Sequence, residues 1–178
     1  MWNGVACLHI SPTSLDALDD RPFTRDISGH RLRREERLAP PRRRRKNIDF
    51  SFCFGGRILK GELLEAYKNK IINFHPAILP MFPGVKSIDQ ALNANAFLLG
   101  NTAHFVDAGT DTGPVIMQST LHSKTFSNYE DVLGLQLPMI YQIFCWLNEN
   151  RISVLGNKVI VEKANYHQPT FYPQLEIN

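Results

Sequence analysis

Residues 70–84 read KIINFHPAILPMFPG, and this stretch fixes both the fold class and the place of the candidate site. Its first part, KIINF, is a short apolar run typical of a buried strand. Its second part contains three prolines and a glycine, which exclude a helix and predict a rigid, irregular loop. Asn73 and His75 stand where the two parts meet. Because loops that follow buried strands hold the chemistry of many α/β proteins, this junction is the first candidate for a functional site.

The segments around this stretch indicate an α/β fold. Short apolar runs bounded by turn residues predict strands at 5–10, 48–54, 101–107 and 114–121, and a closing hairpin at 153–163. Apolar residues at helical spacing predict helices at 61–70, at 87–96 and from Ser127 onward. The helix at 61–70 lies between two strands, so this part of the chain predicts a βαβ unit with parallel strands.

Local signals set the expected ends of two helices. Ser87 is the expected N-cap of the helix at 87–96. The sequence SNYE at 127–130 has the S-x-x-E form of a capping box, which predicts the start of the longest helix. Pro138 lies inside that predicted helix, and we expect it to kink the helix there.

Composition bounds the class of protein. With 178 residues, 43% of them hydrophobic, the chain is long enough for one domain with its own core. No apolar run approaches the roughly 20 residues that span a bilayer, and no signal peptide is evident at the N-terminus. The three cysteines are few and scattered, which suits a reducing compartment. We therefore expect a cytoplasmic protein that makes no membrane contact.

Positive charge is concentrated in residues 31–46, which contain nine basic residues and two acidic ones. A run of like charges with a Pro-Pro pair is typical of a solvated tail. We therefore expect residues 1–46 to form a divergent, Arg-rich, partly disordered segment before a core at 47–178. RNA binding is the alternative role for this segment, because arginines neutralise phosphates. No aromatic residues interleave with the arginines to stack bases, so we do not expect a nucleic-acid partner.

Asn73, His75 and Asp111 form the candidate catalytic set. Asn73 and His75 are two apart, so in an extended segment they point to the same side, and Asp111 lies in the loop DAGTDTGP between two predicted strands. A histidine beside a carboxylate is held in one tautomer, and an amide N–H stabilises an oxyanion. Such a set suits attack of an amine on a carbonyl without a Ser or Cys nucleophile. On spacing alone, caps, turn residues and satisfied core groups remain open as alternatives.

We predict no metal site, since the sequence has no closely spaced histidine pair of the metal-binding kind. His104, next to Phe105 in a predicted strand, is expected to be a structural, hydrogen-bonding histidine rather than a ligand.

Three motifs strongly resemble the formyltransferase family, and in particular its small, phosphoribosylglycinamide formyltransferase-like type. They are GGRIL at 55–59, NFHPAILPMFPG at 73–84 and TAHFVDAGTDTGPVIMQ at 102–118. The resemblance implies a Rossmann-like, mostly parallel sheet flanked by helices. It also implies a folate-dependent N-formyltransferase that carries a formyl group from 10-formyltetrahydrofolate to a primary amine of a small substrate, such as an amino sugar or a glycinamide-like metabolite.

The same resemblance assigns residues. Asn73, His75 and Asp111 fall on the catalytic positions of the family. The folate-binding positions fall on Arg57, Ile58, Leu59, Asp107, Ala108 and Gly109.

Two features depart from the family pattern. The family's Gly-rich phosphate-binding loop is not recognisable in residues 1–46, so we expect an abbreviated or divergent N-terminal half. The family has a glutamate on its long helix that meets the acceptor, and we expect that position to be occupied by Leu137 here. A catalytically impaired relative, which binds folate and covers its open sheet edges as a homodimer, is therefore the alternative function.

Overall fold

The computed structural model describes residues 6–10, 49–54, 59, 61–166 and 170–176, with residues 6–10 described by their backbone. The strands are β1 (Ala6–Ile10), β2 (Phe50–Phe54), β3 (Ile71–His75), β4 (Leu98–Phe105), β5 (Val115–His122), β6 (Ile152–Leu155) and β7 (Lys158–Val161). The helices are α1 (Glu62–Ala66), α2 (Ser87–Asn93), α3 (Tyr129–Leu133) and α4 (Gln136–Asn148). The predicted α/β class is confirmed.

The main sheet has five strands in the order β1-β2-β3-β4-β5. The β2–β3 pair is parallel, as the βαβ pattern around α1 predicts. The other three pairs, β1–β2, β3–β4 and β4–β5, are antiparallel. The prediction of a mostly parallel sheet is therefore wrong for the described strands. The short loop between β4 and β5 explains one reversal, because a parallel pair needs a crossover connection of a dozen or more residues.

Two apolar clusters cover the sheet. In the larger cluster, Met139, Ile143 and Leu147 of α4 pack on strand residues that include Phe52 and Phe105. In the smaller cluster, α2 and α3 pack on β4, and its buried residues are Ile88, Ala91, Leu99 and Val132. These helices fix one wall of the site described below.

Two helix starts differ from the prediction. The N-cap of α2 is Lys86, in the left-handed conformation with φ 57°, and Ser87 is the first helical residue. The Ser87 hydroxyl instead donates to the carbonyl of Pro76 at 3.1 Å, which ties α2 to the end of β3. The predicted capping box is one residue off, because Asn128 and Asp131 form it at the start of α3.

The predicted long helix is two helices, α3 and α4. Pro138 is the third residue of α4, where its missing N–H would have had no intrahelical acceptor, so it lies in the first turn of a helix and not inside the longer helix that was predicted to kink. The closing hairpin is confirmed as β6 and β7, joined through Gly156 and Asn157. Among the described residues, no helix is both long and apolar enough to cross a membrane.

The expected boundary between residues 46 and 47 remains a prediction, since most of residues 1–46 lie outside the described part of the chain. Within that segment, the strand expected at 5–10 is confirmed as β1, and its Leu8 is paired with Phe52 of β2.

Candidate active site

Asn73 and His104 face each other across two neighbouring strands. In the β3–β4 ladder, Asn73 pairs with His104 and His75 pairs with Thr102. The Asn73 Nδ2 lies 3.3 Å from His104 Nε2. On its other side, the His104 ring donates from Nδ1 to the Phe105 carbonyl at 2.9 Å. Because Nδ1 carries that proton, Nε2 accepts the Asn73 amide N–H and fixes the orientation of the carboxamide.

Burial keeps His104 neutral. Desolvation lowers the pKa of His104, and this outweighs the hydrogen bond to Phe105 and the nearby charge of Asp111, which both raise it. A neutral ring has one acceptor nitrogen, which is the form that the Asn73 contact requires.

His75 is held by the loop that follows β3. Its side chain is buried, and its Nε2 lies 2.9 Å from the Phe82 carbonyl. Since a carbonyl oxygen only accepts, Nε2 carries a proton and donates it. Phe82 has φ 57°, an uncommon value for a bulky residue, so the loop holds this carbonyl in place against local strain.

Asp111 reaches the same point from the loop between β4 and β5. Its φ of 55° lies in the left-handed region, which aspartate tolerates. Its Oδ2 accepts from the Gly84 N–H at 2.7 Å and lies 3.4 Å from His75 Nδ1. Its Oδ1 lies 3.6 Å from His104 Nε2. The structure thus brings together the three side chains Asn73, His75 and Asp111.

His75 Nδ1 is the ring nitrogen that faces Asp111. His75 Nε2 already donates to Phe82, so Nδ1 is left for the Asp111 carboxylate, whose Oδ2 lies 3.4 Å away. The two side chains are therefore placed for proton exchange between an imidazole and a carboxylate.

The loop that carries Asp111 is braced from within. Asp107 Oδ1 accepts from the Gly109 N–H at 3.1 Å and from the Thr112 hydroxyl at 2.8 Å. A Cβ on Gly113 would lie 1.8 Å from the Phe105 carbonyl oxygen, so the loop returns directly against β4 and only glycine fits there. These contacts fix where the Asp111 carboxylate stands.

A second brace fixes the loop after β3. The fully buried Thr102 hydroxyl donates to the Ala77 carbonyl at 2.7 Å and accepts from the Leu79 N–H at 2.9 Å. Gln118 Nε2 adds hydrogen bonds of 2.9 Å to the Thr102 hydroxyl and to the Leu79 carbonyl. The loop that holds His75 is therefore anchored on β4 and β5.

These side chains line a cavity of about 610 Å³. Cys53, Phe54, Leu59 and Val106 form an apolar part of its wall, next to Asn73 and His75. Another part is lined by residues of α2, α3 and α4, including Asp89, Tyr129 and Gln136. A cavity of this size, mostly apolar with a few converging polar groups, is typical of small-molecule sites.

Only some of the residues expected to bind folate line the cavity. Leu59, Asp107 and Gly109 line the cavity, whereas Ala108 is exposed and is not part of the lining. Arg57 and Ile58 lie outside the described residues. The Gly109 N–H is already used by Asp107, which leaves other backbone groups of this loop for a ligand.

On α4, the residue that faces the cavity is Gln136 rather than Leu137. Leu137 is 70% exposed and does not line the cavity, whereas Gln136 does. The expectation that the acceptor-facing position of the long helix is Leu137 is therefore wrong, because the register of α4 turns that side chain to the surface.

His104 is the site residue that sequence reasoning undervalued. Its predicted hydrogen-bonding role is confirmed, but its partner is Asn73 and its neighbour is Asp111. Antiparallel pairing of β3 and β4 was the missing signal, because it places His104 opposite Asn73. Among the described residues, no group of His, Cys, Asp or Glu side chains is arranged to hold a metal ion.

The arrangement supplies a fixed amide donor, an imidazole and a carboxylate on the wall of a largely apolar cavity. Amide and imidazole N–H groups stabilise negative charge on oxygen, and a neighbouring carboxylate takes up a proton. A side-chain nucleophile is not needed for chemistry of this kind.

Part of the chain is similar in sequence to known proteins. A family model described as "Formyl transferase" matches residues 44–132, which is half of the chain. A phosphoribosylglycinamide formyltransferase of Bacillus subtilis (strain 168) is 42% identical over 76 residues, which cover 43% of this chain and 39% of the relative. A formyltetrahydrofolate deformylase of Escherichia coli (strain K12) is 31% identical over 109 residues, which cover 59% of this chain and 39% of the relative.

The fold is also similar to a solved structure. The crystal structure of phosphoribosylglycinamide formyltransferase from Anaplasma phagocytophilum superposes with a TM-score of 0.56 at 26% identity, over 61% of this chain and 55% of that one. The chain spans about two fifths of the length of the curated relatives it matches.

Proposed function

The chain belongs to the formyl transferase family, and on that premise we propose that it transfers a formyl group from 10-formyltetrahydrofolate to a primary amine of a small substrate. The observation that carries the proposal is the convergence of Asn73, His75 and Asp111, with 3.4 Å between His75 Nδ1 and Asp111 Oδ2, on the wall of one cavity. An amino sugar or a glycinamide-like metabolite is the acceptor class that we propose.

The cavity suits the formyl donor. A flat heterocycle needs an apolar slot, and Phe54, Leu59 and Val106 supply apolar wall next to Asn73. Asp107 and Gly109 would meet its polar edge from the neighbouring loop. The donor supplies the electrophilic formyl carbon at the end of this slot.

Asn73 and His75 would stabilise the charge that develops on the formyl oxygen. One Asn73 amide N–H is used by His104, and the second is left to donate into the cavity. A proton taken up at His75 Nδ1, which faces Asp111, would put positive charge on the imidazole and favour negative charge on a nearby oxygen. Because these groups are fixed by the loops, little reorganisation is needed during the reaction.

Asp111 would move the proton. As the amine nitrogen bonds to the formyl carbon and the bond from that carbon to the donor nitrogen breaks, one proton leaves the amine and one joins the donor nitrogen. Asp111 Oδ1 has no hydrogen-bond donor among the described residues and lies 3.6 Å from His104, so it is the oxygen we assign to this transfer.

Hydrolysis is the second candidate function. A water molecule in place of the amine would release formate through the same three side chains, and one of the similar proteins is a formyltetrahydrofolate deformylase. That similarity covers more of this chain than the similarity to the Bacillus subtilis relative.

The test is incubation of the purified chain with 10-formyltetrahydrofolate and a panel of amines, with formylated amine and formate measured separately by mass spectrometry. Formylated amine supports transfer, and formate without it supports hydrolysis. Donor binding with neither product would instead support the alternative of a catalytically impaired, folate-binding relative.

A matched pair of variants ties the product to the site. His75→Ala should abolish turnover, whereas His122→Ala, in a strand end that does not line the cavity, should retain it. Full turnover in the His75 variant, with the fold intact by circular dichroism, would refute the assignment.

A further inference from the structure

The part of the cavity wall that the helices supply carries polar groups to which the proposed formyl transfer gives no role. Asp89 comes from α2, Tyr129 from α3 and Gln136 from α4, and all three line the cavity. Since the apolar wall suits the donor, the helical wall is the part of the lining left for the acceptor. The chemistry of these three groups therefore bears on which amine the site accepts.

Asp89 is fixed by Tyr129. The Tyr129 hydroxyl donates to Asp89 Oδ1, and this hydrogen bond raises the pKa of the tyrosine, so the phenol remains a donor at neutral pH. Asp89 Oδ2 has no hydrogen bond and no ion pair among the described residues. The carboxylate thus presents one oriented oxygen to the cavity, and Tyr129 beside it is half-exposed.

Gln136 also presents an oxygen, and its orientation follows from a chain of amides. Asn101 is fully buried, and its Nδ2 donates to the Val132 carbonyl at 2.7 Å and to the Ser119 hydroxyl at 3.2 Å. Asn101 Oδ1 therefore points the other way and accepts from Gln136 Nε2 at 2.9 Å. With its nitrogen used in this way, Gln136 has its Oε1 left to accept from a ligand.

The described lining of the cavity is acidic overall. It contains the carboxylates of Asp89, Asp107 and Asp111 and a single ammonium, that of Lys86, so its formal charge is −2 with neutral histidines. A cleft with an excess of one charge raises the local concentration of ligands of the opposite sign. A cation is therefore favoured here, and a phosphate dianion is disfavoured.

We propose that Asp89, Tyr129 and Gln136 form the acceptor subsite, and that it selects a primary amine that carries a second cationic group and no phosphate. Asp89 Oδ2 binds the second cation, the tyrosine ring contributes a cation–π contact, and Gln136 Oε1 accepts an N–H from the acceptor. This inference rests on the proposed function. It separates this chain from the relatives named for a phosphoribosyl substrate.

The test uses three acceptors of one chain length: diaminopropane, aminopropanol and aminopropyl phosphate. We expect kcat/KM to fall in that order, with at least about a tenfold difference between the diamine and the phosphate ester. The Asp89 carboxylate attracts the second ammonium of the diamine and repels the phosphate. A preference for the phosphate ester in the unaltered chain would overturn the proposal.

Variants locate the effect. Asp89→Asn should lower kcat/KM for diaminopropane about tenfold, mainly through KM, and should leave aminopropanol nearly unchanged. Tyr129→Phe should give a smaller loss, because the carboxylate remains but is less well oriented. The matched control is Glu130→Gln, which removes a carboxylate from α3, next to Tyr129 but outside the cavity, and should change none of the three values. Equal effects of Asp89→Asn and Glu130→Gln would refute the subsite.

Direct binding separates this inference from the proposed function. Titration calorimetry of diaminopropane, without donor, should show binding that Asp89→Asn weakens and Glu130→Gln does not. If no amine is formylated but this pattern holds, the subsite stands and the proposed transfer fails. If amines are formylated but diaminopropane binding is absent or insensitive to Asp89, the subsite fails and the transfer stands.

Discussion

At the scale of single residues, the site depends on two buried histidines that are held in different ways. The backbone carbonyl of Phe105 accepts a hydrogen bond from His104 Nδ1, and burial keeps that ring neutral, so its Nε2 orients the amide of Asn73. The carbonyl of Phe82 accepts a hydrogen bond from His75 Nε2, and His75 Nδ1 faces Asp111. One imidazole therefore orients an amide, and the other is paired with a carboxylate.

Loss of the Asn73 amide should impair catalysis more than binding. We expect Asn73→Ala to lower kcat by about 100- to 1,000-fold, the usual effect of removing one oxyanion donor. The measurement is steady-state kinetics with saturating donor. Asn93→Ala, at the exposed end of α2, is the matched control and should retain the kcat of the unaltered chain. A loss that appears only in KM would contradict the oxyanion role.

Burial of neutral His104 predicts a dependence of stability on pH. Its pKa is lowered in the folded state, so below the ordinary value of 6.5 the unfolded chain binds a proton that the folded chain does not. The stabilisation is present above that pH and is lost as the pH falls through the folded-state pKa. We expect His104→Asn, which retains a donor for the Phe105 carbonyl, to flatten the decline of the thermal midpoint as the pH falls below 6.5.

The control for this experiment is His122→Asn, which alters a histidine at the far end of β5. That variant should keep the decline of the unaltered chain. An equally steep decline in the His104 variant would show that other groups cause the acid sensitivity.

At the scale of elements, the loop after β3 is set by its attachment to β4 and β5. Prolines and left-handed residues limit its conformations, but the Thr102 hydroxyl fixes it to the sheet through Ala77 and Leu79. His75 and Phe82 stand on either side of this attachment. The geometry of the site thus depends on a hydroxyl that makes no contact with the reacting groups.

Thr102→Val should destabilise the fold, because valine has the shape of threonine but leaves the Leu79 N–H and the Ala77 carbonyl without their partner. We expect a loss of about 1–3 kcal/mol for each buried group left unsatisfied, measured by urea unfolding. Thr102→Ser should restore most of the stability. Thr120→Val, a swap of the same kind in β5, should cost less, since its hydroxyl makes no hydrogen bond to the part of the chain that the structure describes.

At the scale of the whole molecule, the five-stranded sheet ends in β1, which comes from the N-terminal segment. It forms a ladder with β2, the parallel neighbour of the strand that carries Asn73 and His75. An open edge on β2 would expose unpaired backbone groups, which promote association between chains.

Removal of residues 1–10 should therefore lower the thermal midpoint and cause association that depends on protein concentration, as measured by light scattering after gel filtration. Removal of residues 1–5, which precede β1, is the matched control and should leave the oligomeric state unchanged. If both truncated chains behave alike, the β1 ladder does not protect the sheet edge.

Much of this architecture could be predicted from the sequence, because it depends on local signals. Apolar runs placed the strands, and the spacing of Asn73, His75 and Asp111 selected the three side chains that the structure brings together. What could not be predicted depends on contacts between distant segments. Strand direction determines that His104 meets Asn73, and helix packing determines that Gln136 rather than Leu137 faces the cavity.

The position of β1 has a consequence for the order of folding. Thirty-nine residues separate Ile10 from Phe50, whereas β4 and β5 are joined by a nine-residue turn and β3 lies close before them. Since chain entropy makes long closures slower than short ones, β3, β4 and β5 should assemble first and β1 should dock last. Asn73, His75, His104 and Asp111 all belong to the early unit, so the catalytic geometry should be in place before the sheet is complete.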